Sequence, residues 1–343
     1  MKPLTTVPRV ATATAAALLL LTGTAACQAA DADSNPDAGG ESAPSGGGQD
    51  DDSAGTEVGY LYYERYNDDT STTVLRWDGT EAGKVEEVTT GTTGDRMYQT
   101  IDVSRYGEYL SWGDDGEENG QLLTYDIETG ETQAVADMPA GIDSCDLPTW
   151  APDGRPQLAV RGESPATMTI LDVPSGSRSD EIPVNSTCYV QQASGDQADG
   201  TDLFYFNYDA RDVEFSRYGE IVSTGVGPAV QSALGDETSG LTAISGDGSY
   251  VCVTAGGLDG GGRQHDCHAI VDVATDEVLK QTGDQPFQAR WAYDSLVVRQ
   301  DGAISYYPTT SAIGGEAETT VPEPAELQGA ELFGVTQGHT VEE

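Results

Sequence analysis

The sequence predicts an all-β fold, a six-bladed β-propeller, and three observations support this prediction. The 343-residue chain contains 42 glycines, and its aromatic residues are mainly tyrosine, with 16 Tyr against 5 Phe. Such a composition is typical of short strands joined by tight turns. A four-strand pattern recurs at a spacing close to 47 residues, as the blades of a propeller do. A single C-terminal strand then completes an N-terminal group of three.

The chain is strongly acidic, and this excludes some classes of partner. It contains 58 Asp and Glu against 16 Lys and Arg, a formal net charge of −42. Nucleic-acid binding needs clustered basic residues that displace counterions, and electrostatic docking on anionic lipid needs them too. The composition therefore argues against nucleic acid as a partner and favours a well-solvated, exposed surface.

The first 26 residues have the pattern of an export signal. Lys2 and Arg9 precede an uncharged stretch, residues 10–26, which includes four consecutive leucines at positions 18–21. Small residues then precede Cys27. A basic start, a short apolar segment and a small-residue cleavage site together predict a secretory signal peptide.

Residues 21–27, Leu-Thr-Gly-Thr-Ala-Ala-Cys, resemble the cleavage motif of bacterial lipoproteins, in which the Cys becomes the lipidated first residue. The resemblance implies lipidation at Cys27, attachment to the lipid bilayer, and a location on the extracytoplasmic face of the cell membrane. The family usually has Leu or a similar residue three positions before the Cys, where this chain has Thr24. Ordinary cleavage at the alanine pair is the alternative.

Residues 27–56 are expected to form a flexible acidic tether. Residues 28–55 are mostly Asp, Gly, Ser, Ala, Pro and Gln, without an aromatic or branched aliphatic residue. Such a segment cannot bury enough apolar surface to order itself. The expected organisation is a signal peptide (1–26), the tether (27–56), the propeller (57–338) and a disordered tail (339–343).

The repeat is defined by one position just before a Gly/Asp turn. Ser104, Ala151, Ser245 and Ala292 occupy it, at steps of 47, 94 and 47 residues. The double step leaves room for one degenerate copy, which residues 198–206 fill with an Ala-Asp-Gly turn and an aromatic strand. The pattern predicts one blade for each copy.

The two ends of the chain are expected to share the remaining blade. Residues 60–66, 73–77 and 85–89 supply three strands, and residues 331–337 supply one more. Closing the ring in this way removes the exposed edge of an open sheet. Seven blades are the alternative, if residues 190–240 contain an additional unit.

The turn Trp150-Ala151-Pro152-Asp153-Gly154, with the Leu-Ala-Val strand at 158–160 and the segment Ile-Leu-Asp-Val-Pro-Ser-Gly at 170–176, is similar to the WD40-like propeller repeat of TolB-type proteins. The match is good in one blade and partial in three. In that family the repeat is structural and occurs in binding proteins, peptidase gates and envelope proteins. The resemblance therefore implies an architecture and carries over no catalytic residue.

The four cysteines beyond Cys27 are predicted to form disulfides, because an exported chain meets an oxidising environment. Three pairings are possible. Cys145 and Cys188 are 43 residues apart, close to one repeat, and can link equivalent places on adjacent blades. Cys252 and Cys267 are 15 residues apart and are expected on the second and third strands of one blade.

The sequence predicts no cofactor, metal site or catalytic motif. His265 and His268 flank Cys267, but the spacing of ligands for zinc is absent, so these histidines are expected in a solvated loop. His339 falls in the tail. The acidic clusters, at residues 50–52, 67–69, 114–118 and 143–146, lack the twelve-residue pattern of a calcium loop. No Gly-x-Ser-x-Gly elbow or phosphate-binding loop occurs.

Aromatic residues are expected mainly in packing. Trp150 and Trp291 share one register of the repeat and are expected between blades. Tyrosines also crowd two strands, at positions 60, 62, 63 and 66 and at positions 306 and 307. Ordinary blade packing explains them, with sugar or peptide recognition as the alternative.

Three hypotheses for function follow. In the first, the propeller is a non-enzymatic module that binds a protein, peptide or glycan of the cell envelope at one mouth of its channel. In the second, it is a hydrolase or lyase whose paired carboxylates converge in one pocket with perturbed pKa values. In the third, it is an accessory or sensory subunit of a membrane complex, marked by an apolar patch on its outer wall.

Overall fold

The computed structural model describes residues 58–338 apart from short internal gaps. The gaps are residues 70, 92–99, 115–119, 138–147, 152–155, 165, 188–189, 195–200, 236–237, 256–264, 283–284, 311–312 and 314. Within the described part, no helix is long and apolar enough to cross a membrane.

The described strands form six antiparallel sheets, which are the six blades. The first three blades use β1 (Val58–Tyr66), β2 (Thr72–Trp77), β3 (Glu86–Gly91), β4 (Asp102–Val103), β5 (Tyr109–Asp114), β6 (Gln121–Asp126), β7 (Thr132–Asp137), β8 (Gln157–Arg161), β9 (Thr167–Asp172) and β10 (Ile182–Pro183). The fourth uses β11 (Gln191–Ser194), β12 (Thr201–Asn207), β13 (Asp212–Arg217) and β14 (Glu220–Ser223), and helix α1 (Gly227–Leu234) follows.

The last two blades and the closing strand complete the chain. They use β15 (Thr238–Ile244), β16 (Tyr250–Ala255), β17 (Asp266–Cys267), β18 (Ala269–Asp272), β19 (Val278–Gln281), β20 (Phe287–Ala292), β21 (Ser295–Gln300), β22 (Ala303–Tyr307), β23 (Thr319–Pro322), a 3₁₀ turn (Ala325–Leu327) and β24 (Glu331–Gln337).

The ring is closed as the sequence predicts. The first sheet has the order β24-β1-β2-β3, so the C-terminal strand is the innermost strand of the first blade. Leu61 and Leu332 share one apolar cluster with Val297 and Ile304 of the sixth blade. The prediction of six blades is confirmed. The region 190–240 contains one blade and α1, which buries Val230 in the cluster between the fourth and fifth blades.

The repeated turn has the same hydrogen bonds in different blades. The backbone N–H of Ser104 donates to the Tyr109 carbonyl over 2.9 Å, and that of Ser245 donates to the Tyr250 carbonyl over 3.0 Å. Both serine hydroxyls also accept from the backbone N–H of the same tyrosine, each over 3.0 Å. The turn then needs a left-handed residue, and Gly248 supplies it with a φ of +75°. This local chemistry explains why the repeat is visible in the sequence.

Aromatic side chains pack between blades as expected. Tyr62 and Tyr63 are buried, whereas Tyr60 and Tyr66, elsewhere on β1, are more than 40% exposed at 42% and 43%. Trp150 stacks on Tyr109 of the preceding blade, with ring centroids 6.0 Å apart. In the third blade the innermost strand is reduced to a single bridge, in which Trp150 pairs with Leu158.

The Cys252–Cys267 disulfide is present, but its place in the fold corrects the prediction. Cys252 lies on β16, the second strand of the fifth blade, as expected. Cys267 was expected on the third strand of that blade, yet that strand, β18, begins at Ala269. Cys267 belongs instead to β17, which pairs with β20 of the sixth blade. The disulfide therefore links two blades, because the chain visits the neighbouring sheet before it returns.

Candidate binding cavity in the central channel

The innermost strands of the blades surround a cavity in the central channel. Residues of β4, β11, β15, β20 and β24, together with the segment 148–151, line a volume of about 170 Å³. At roughly 30 Å³ for each water molecule in the liquid, this is room for several waters or for one small group of a ligand. The propeller fold positions the lining, since each blade contributes a side chain from a different part of the sequence.

The segment that contains His265 and β17 lies beside the cavity. β17 pairs with β20 on the side away from β21, so it extends the sixth blade inward. His265, directly before β17, is 6% exposed and lines the inner end of the cavity. The expectation of a solvated loop at His265 is therefore wrong. The pairing of β17 with a strand about twenty residues away in sequence brings this histidine into the channel.

His265 links the carboxylate of Glu64 to the guanidinium group of Arg290. Its Nε2 lies 2.8 Å from Oε1 of Glu64, and its Nδ1 lies 2.6 Å from a terminal guanidinium nitrogen of Arg290. A guanidinium can only donate, so Nδ1 accepts and Nε2 carries the proton that is donated to Glu64. Burial, and then the charge of Arg290, lower the pKa of His265 to about 3. The imidazole is therefore neutral at physiological pH.

Arg290 is the cation of this cluster. It is 8% exposed, and it also donates to the backbone carbonyl oxygens of Phe333 (2.7 Å) and Ala289 (2.6 Å). Burial lowers the pKa of Arg290 to about 10, while nearby acids, Asp102 first among them, act to raise it. Its three described hydrogen bonds leave two of its five N–H groups for other acceptors.

Two buried carboxylates face each other beside this cluster. Glu64 on β1 and Glu331 on β24 are directly opposed across the sheet, at 0% and 3% exposure. Together with His265 they place three potential metal-ligating atoms within 4.8 Å of one another. In the observed arrangement the Nδ1 of His265 accepts from Arg290 and its Nε2 carries a proton, so neither nitrogen offers a lone pair to a metal. The residues therefore fit a hydrogen-bonded cluster better than a metal centre.

Asp102 is the carboxylate that lines the cavity. It lies on β4 and accepts backbone N–H groups from Val103, over 2.8 Å, and from Trp150. Burial raises the pKa of Asp102 to about 7, although these hydrogen bonds and the charge of Arg290 oppose the shift. The cavity thus contains a group that changes its charge near neutral pH.

Two further side chains in the lining have polar atoms without a partner. Gln192 on β11 is 5% exposed, and neither its amide oxygen nor its amide nitrogen makes a hydrogen bond within the described structure. The indole N–H of Trp150, which is 6% exposed, is also unpartnered. By contrast, the indole of Trp291 donates to Thr310 Oγ1 over 2.8 Å. Buried polar groups are nearly always paired in native proteins, and these unpartnered groups belong to two residues of the cavity lining.

The opposite end of the cavity lies at the turns that follow the inner strands. Arg105 lies over the ring of Tyr293, 4.8 Å from its centroid, and donates from Nε to the side-chain oxygen of Gln337. Burial, and then the nearby Asp247, raise the pKa of Asp294, while Arg105 lowers it. The two ends of the cavity therefore differ, one having the buried imidazole of His265 and the other an arginine and an aromatic ring.

The sequence prediction did not include Asp102, Gln192 and Arg290 among candidate site residues. Arg290 had a detectable signal, because it is a charged residue within the strand Phe287–Ala292, whose first four residues are all buried. Gln192 had none, since it lies in the blade with the weakest repeat. Trp150 was expected in packing alone, and it both packs on Tyr109 and lines the cavity.

The other predicted site residues lie elsewhere. Cys27, Cys145, Cys188 and His339 fall outside the described residues. His268 accepts the backbone N–H of Ala255 at Nδ1 over 3.2 Å, and burial lowers its pKa. Of the acidic clusters, residues 67–69 are described, and there the Asp69 carboxylate accepts from both the N–H and the hydroxyl of Ser71. The carboxylate of Asp69 thus stabilises a turn.

Comparison with known proteins gives information about the fold but not about the binding site. No protein-family model and no curated protein matches the chain. Among solved structures, a chain of a nidogen/laminin complex is similar with a TM-score of 0.52 and 13% identity, over 81% of this chain and 97% of that one. TolB from Acinetobacter baumannii is similar with a TM-score of 0.47 and 12% identity, over 81% of this chain.

This chain spans 65% of that TolB chain. The β-propeller domain of the Trilobed protease from Pyrococcus furiosus is similar with a TM-score of 0.40 and 12% identity, over 78% of this chain and 84% of that one. At such identities the likeness concerns the fold. The strand order within each sheet and the closure by β24 identify the chain as a six-bladed β-propeller, and the fold likeness to the nidogen/laminin chain agrees with this.

Proposed function

We propose that this protein is a lipid-anchored, non-enzymatic binding module on the extracytoplasmic face of the cell membrane. Its propeller receives part of an envelope protein or peptide, or a glycan, at the mouth framed by Arg105 and Tyr293. The observation that carries this proposal is Gln192, which lines the cavity with both amide atoms unpartnered at 5% exposure. A ligand that pairs with such a group recovers the cost of its burial, and this favours binding there.

The arrangement of acids favours binding over carboxylate catalysis. Acid–base chemistry by two carboxylates needs both of them beside the same reacting group. Among the described residues that line the cavity, Asp102 is the one carboxylate. Glu64 and Glu331 converge, but neither belongs to the lining, and Glu64 is engaged by His265.

The anchor is supported by the sequence before the propeller. The lipoprotein-like motif ends at Cys27, and about thirty residues without large apolar side chains follow it. A chain of this composition gives a flexible connection, which allows a folded domain to reach partners away from the lipid surface.

Site-specific photocrosslinking in intact cells tests the proposal. Benzoylphenylalanine replaces Tyr293 at the open mouth, and the matched control places it at Tyr208, which is 45% exposed on a turn between β12 and β13. We expect a discrete adduct from position 293 that is lost when Gln192→Leu is added. Adducts from position 208 instead, or a position-293 adduct unaffected by Gln192→Leu, would overturn the channel as the binding site.

A further inference from the structure

Arg105 lies in the turn after β4, where several contacts hold its guanidinium group at the mouth of the cavity. Its Nε donates to the side-chain oxygen of Gln337, and its backbone carbonyl accepts the Gln337 N–H over 2.9 Å. The guanidinium carbon lies 4.8 Å from the centroid of the Tyr293 ring. Arg105, Gln337 and Tyr293 all line the cavity. The charged group is therefore positioned in advance, which reduces the entropy that a ligand must pay to order it.

The terminal nitrogens of this guanidinium group have no partner among the described residues. An arginine has five N–H donors, and the hydrogen bond from Nε to Gln337 uses one of them. No described carboxylate forms an ion pair with Arg105, and neither of its terminal nitrogens donates a hydrogen bond to a described residue. Unlike the buried amide atoms of Gln192, both terminal nitrogens are accessible. Four N–H groups therefore remain for a ligand.

The lack of an ion pair at Arg105 contrasts with the rest of the fold. The chain has 58 acidic residues against 16 basic ones, so carboxylates are abundant. Three other arginines pair with one each: Arg76 with Glu86, Arg217 with Asp202, and Arg299 with Glu323. Arg290, deeper in the channel, has Glu64 and Glu331 nearby. Among the described arginines that line the cavity, Arg105 is the one whose charge is left for an external anion.

We propose that Arg105 binds the carboxylate of a peptide ligand at the mouth of the cavity. This inference rests on the proposed function, since it names the chemistry of the ligand at the same mouth. One N–H of each terminal nitrogen donates to one carboxylate oxygen, which is the bidentate geometry that makes such pairs strong and specific. The cavity of about 170 Å³ beside the guanidinium receives one small group of the residue that carries the carboxylate.

The charges around Arg105 favour a carboxylate over a phosphate. Burial, and then Asp247, raise the pKa of Asp294 at this mouth, while Arg105 lowers it. Asp102 lies further along the lining. One guanidinium group offsets one negative charge, whereas a phosphate monoester carries about −1.5 to −2 at pH 7. The surplus charge would lie near these acids, so a monoanion binds better. An ammonium group cannot accept from Arg105 and is repelled by its charge.

Full-length protein with ¹⁵N-labelled arginine reports the contact directly. The Nε–H signal of Arg105 is assigned by its loss in Arg105→Lys. The Nε–H of Arg217, which donates to Asp202 over 2.8 Å, is the internal reference. Two carboxylates are titrated, N-acetylalanine with a C-terminal carboxylate and N-acetylaspartic acid N-methylamide with a side-chain carboxylate. Their uncharged counterparts are N-acetylalaninamide and N-acetylasparagine N-methylamide. Glucuronate and inorganic phosphate follow.

We expect at least one of the two carboxylates to shift the Arg105 signal saturably, to leave Arg217 unchanged, and to bind roughly tenfold or more tightly than its amide. In Arg105→Gln, binding is measured from the signals of the ligand and should be weaker by roughly tenfold or more. Arg105→Lys keeps the charge but loses the planar fork, so its binding should be intermediate. The same Arg105→Gln substitution should reduce the position-293 crosslink in cells.

Two exposed positions give matched controls for net charge. Arg178→Gln makes the same change in charge as Arg105→Gln, and Asp209→Asn, on an exposed turn, makes the opposite change. Both variants should bind the carboxylates as the wild type does. Binding that follows the net charge of these controls would show general electrostatic attraction and overturn Arg105 as the site.

Equal binding of the carboxylates and their amides, or unchanged binding in Arg105→Gln, would also overturn the assignment. Tighter binding of phosphate than of both carboxylates would overturn the carboxylate as the bound group, and tighter binding of glucuronate would overturn the peptide as the ligand. If none of these probes shifts Arg105 while the position-293 crosslink forms and depends on Gln192, the carboxylate inference fails alone. If the crosslink is absent as well, both proposals fail.

Discussion

Arg290 donates a hydrogen bond to the Nδ1 atom of His265 across 2.6 Å, and this contact fixes the protonation of the buried cluster. Because Nδ1 must accept, the proton of the neutral imidazole lies on Nε2 and points at Glu64. The cluster joins two blades, since Glu64 lies on β1 of the first blade and Arg290 on β20 of the sixth, and His265, directly before β17, contacts both. It thus connects the segment before β17 to the strands around the channel.

The neutral state of His265 predicts a loss of stability in acid. The folded-state pKa of about 3 lies below the ordinary value of 6.5, so the unfolded chain binds more protons between these pH values. The contribution of His265 to stability is present above pH 6.5 and is lost as the pH falls toward 3, at up to about 1.4 kcal/mol per pH unit. Urea unfolding from pH 7 to pH 4 measures it.

The side-chain amide in His265→Gln can still donate to Glu64 but does not titrate. The unfolding free energy of this variant should therefore fall less than that of the wild type between pH 7 and pH 4. An NMR titration of the histidine ring gives an independent check. Titration of His265 near pH 6 in the folded protein would contradict the Arg290–His265 hydrogen bond.

Asp102 should change the stability with pH in the opposite direction to His265. Its folded-state pKa of about 7 lies above the ordinary value of 3.8, so the folded chain binds more protons between these values. The contribution of the protonated carboxyl is full below pH 3.8 and is lost as the pH rises through 7, again at no more than about 1.4 kcal/mol per pH unit. Asp102→Asn should therefore gain stability relative to the wild type from pH 4 to pH 8. Asp209→Asn should show no such trend, and equal trends for the two variants would contradict the assignment.

Removal of Arg290 should leave buried negative charge without compensation. Glu64 and Glu331 face each other at 0% and 3% exposure, and loss of one partner from a buried ionic cluster typically costs about 3–5 kcal/mol. We expect Arg290→Met to lower the unfolding free energy by about that amount. Glu331→Gln in the same background should restore part of it, and a double-mutant cycle measures the coupling. Additive effects of the two substitutions would show that the groups do not interact.

Far more of the fold than of the site is predictable from the sequence, and the reason is the range of the interactions. The blades follow from local chemistry, such as the serine-centred turns at Ser104 and Ser245, which repeat within a few residues. The site depends on distant contacts, as Glu64 and His265 are 201 positions apart. Cys267 was misplaced for the same reason, because the pairing of β17 with β20 crosses from one blade to the next.

The Cys252–Cys267 disulfide should stabilise the attachment of β17 to the neighbouring blade. It closes a segment of 15 residues, which in the chain-entropy model is worth about 3 kcal/mol. We expect the double substitution of both cysteines by alanine to lower the unfolding free energy by about this amount, and to speed hydrogen exchange at β17. Hydrogen exchange at β7, in the second blade, is the internal control. Unchanged exchange at β17 would show that its pairing with β20 holds the segment without the disulfide.

The lipid anchor predicts a defined mass for the membrane-extracted protein. Lipidation at Cys27 requires a mature chain that begins at this residue and carries a diacylglycerol-sized addition, because the motif that residues 21–27 resemble implies both cleavage directly before the Cys and a lipid on its thiol. The Cys27→Ala variant should lose the addition and the membrane attachment together, since one thiol provides the site. Cys252→Ala with Cys267→Ala is the matched control, as it removes cysteines without touching the anchor. A wild-type chain released into the medium without the added mass would overturn the anchor, and would favour ordinary cleavage at the preceding alanine pair.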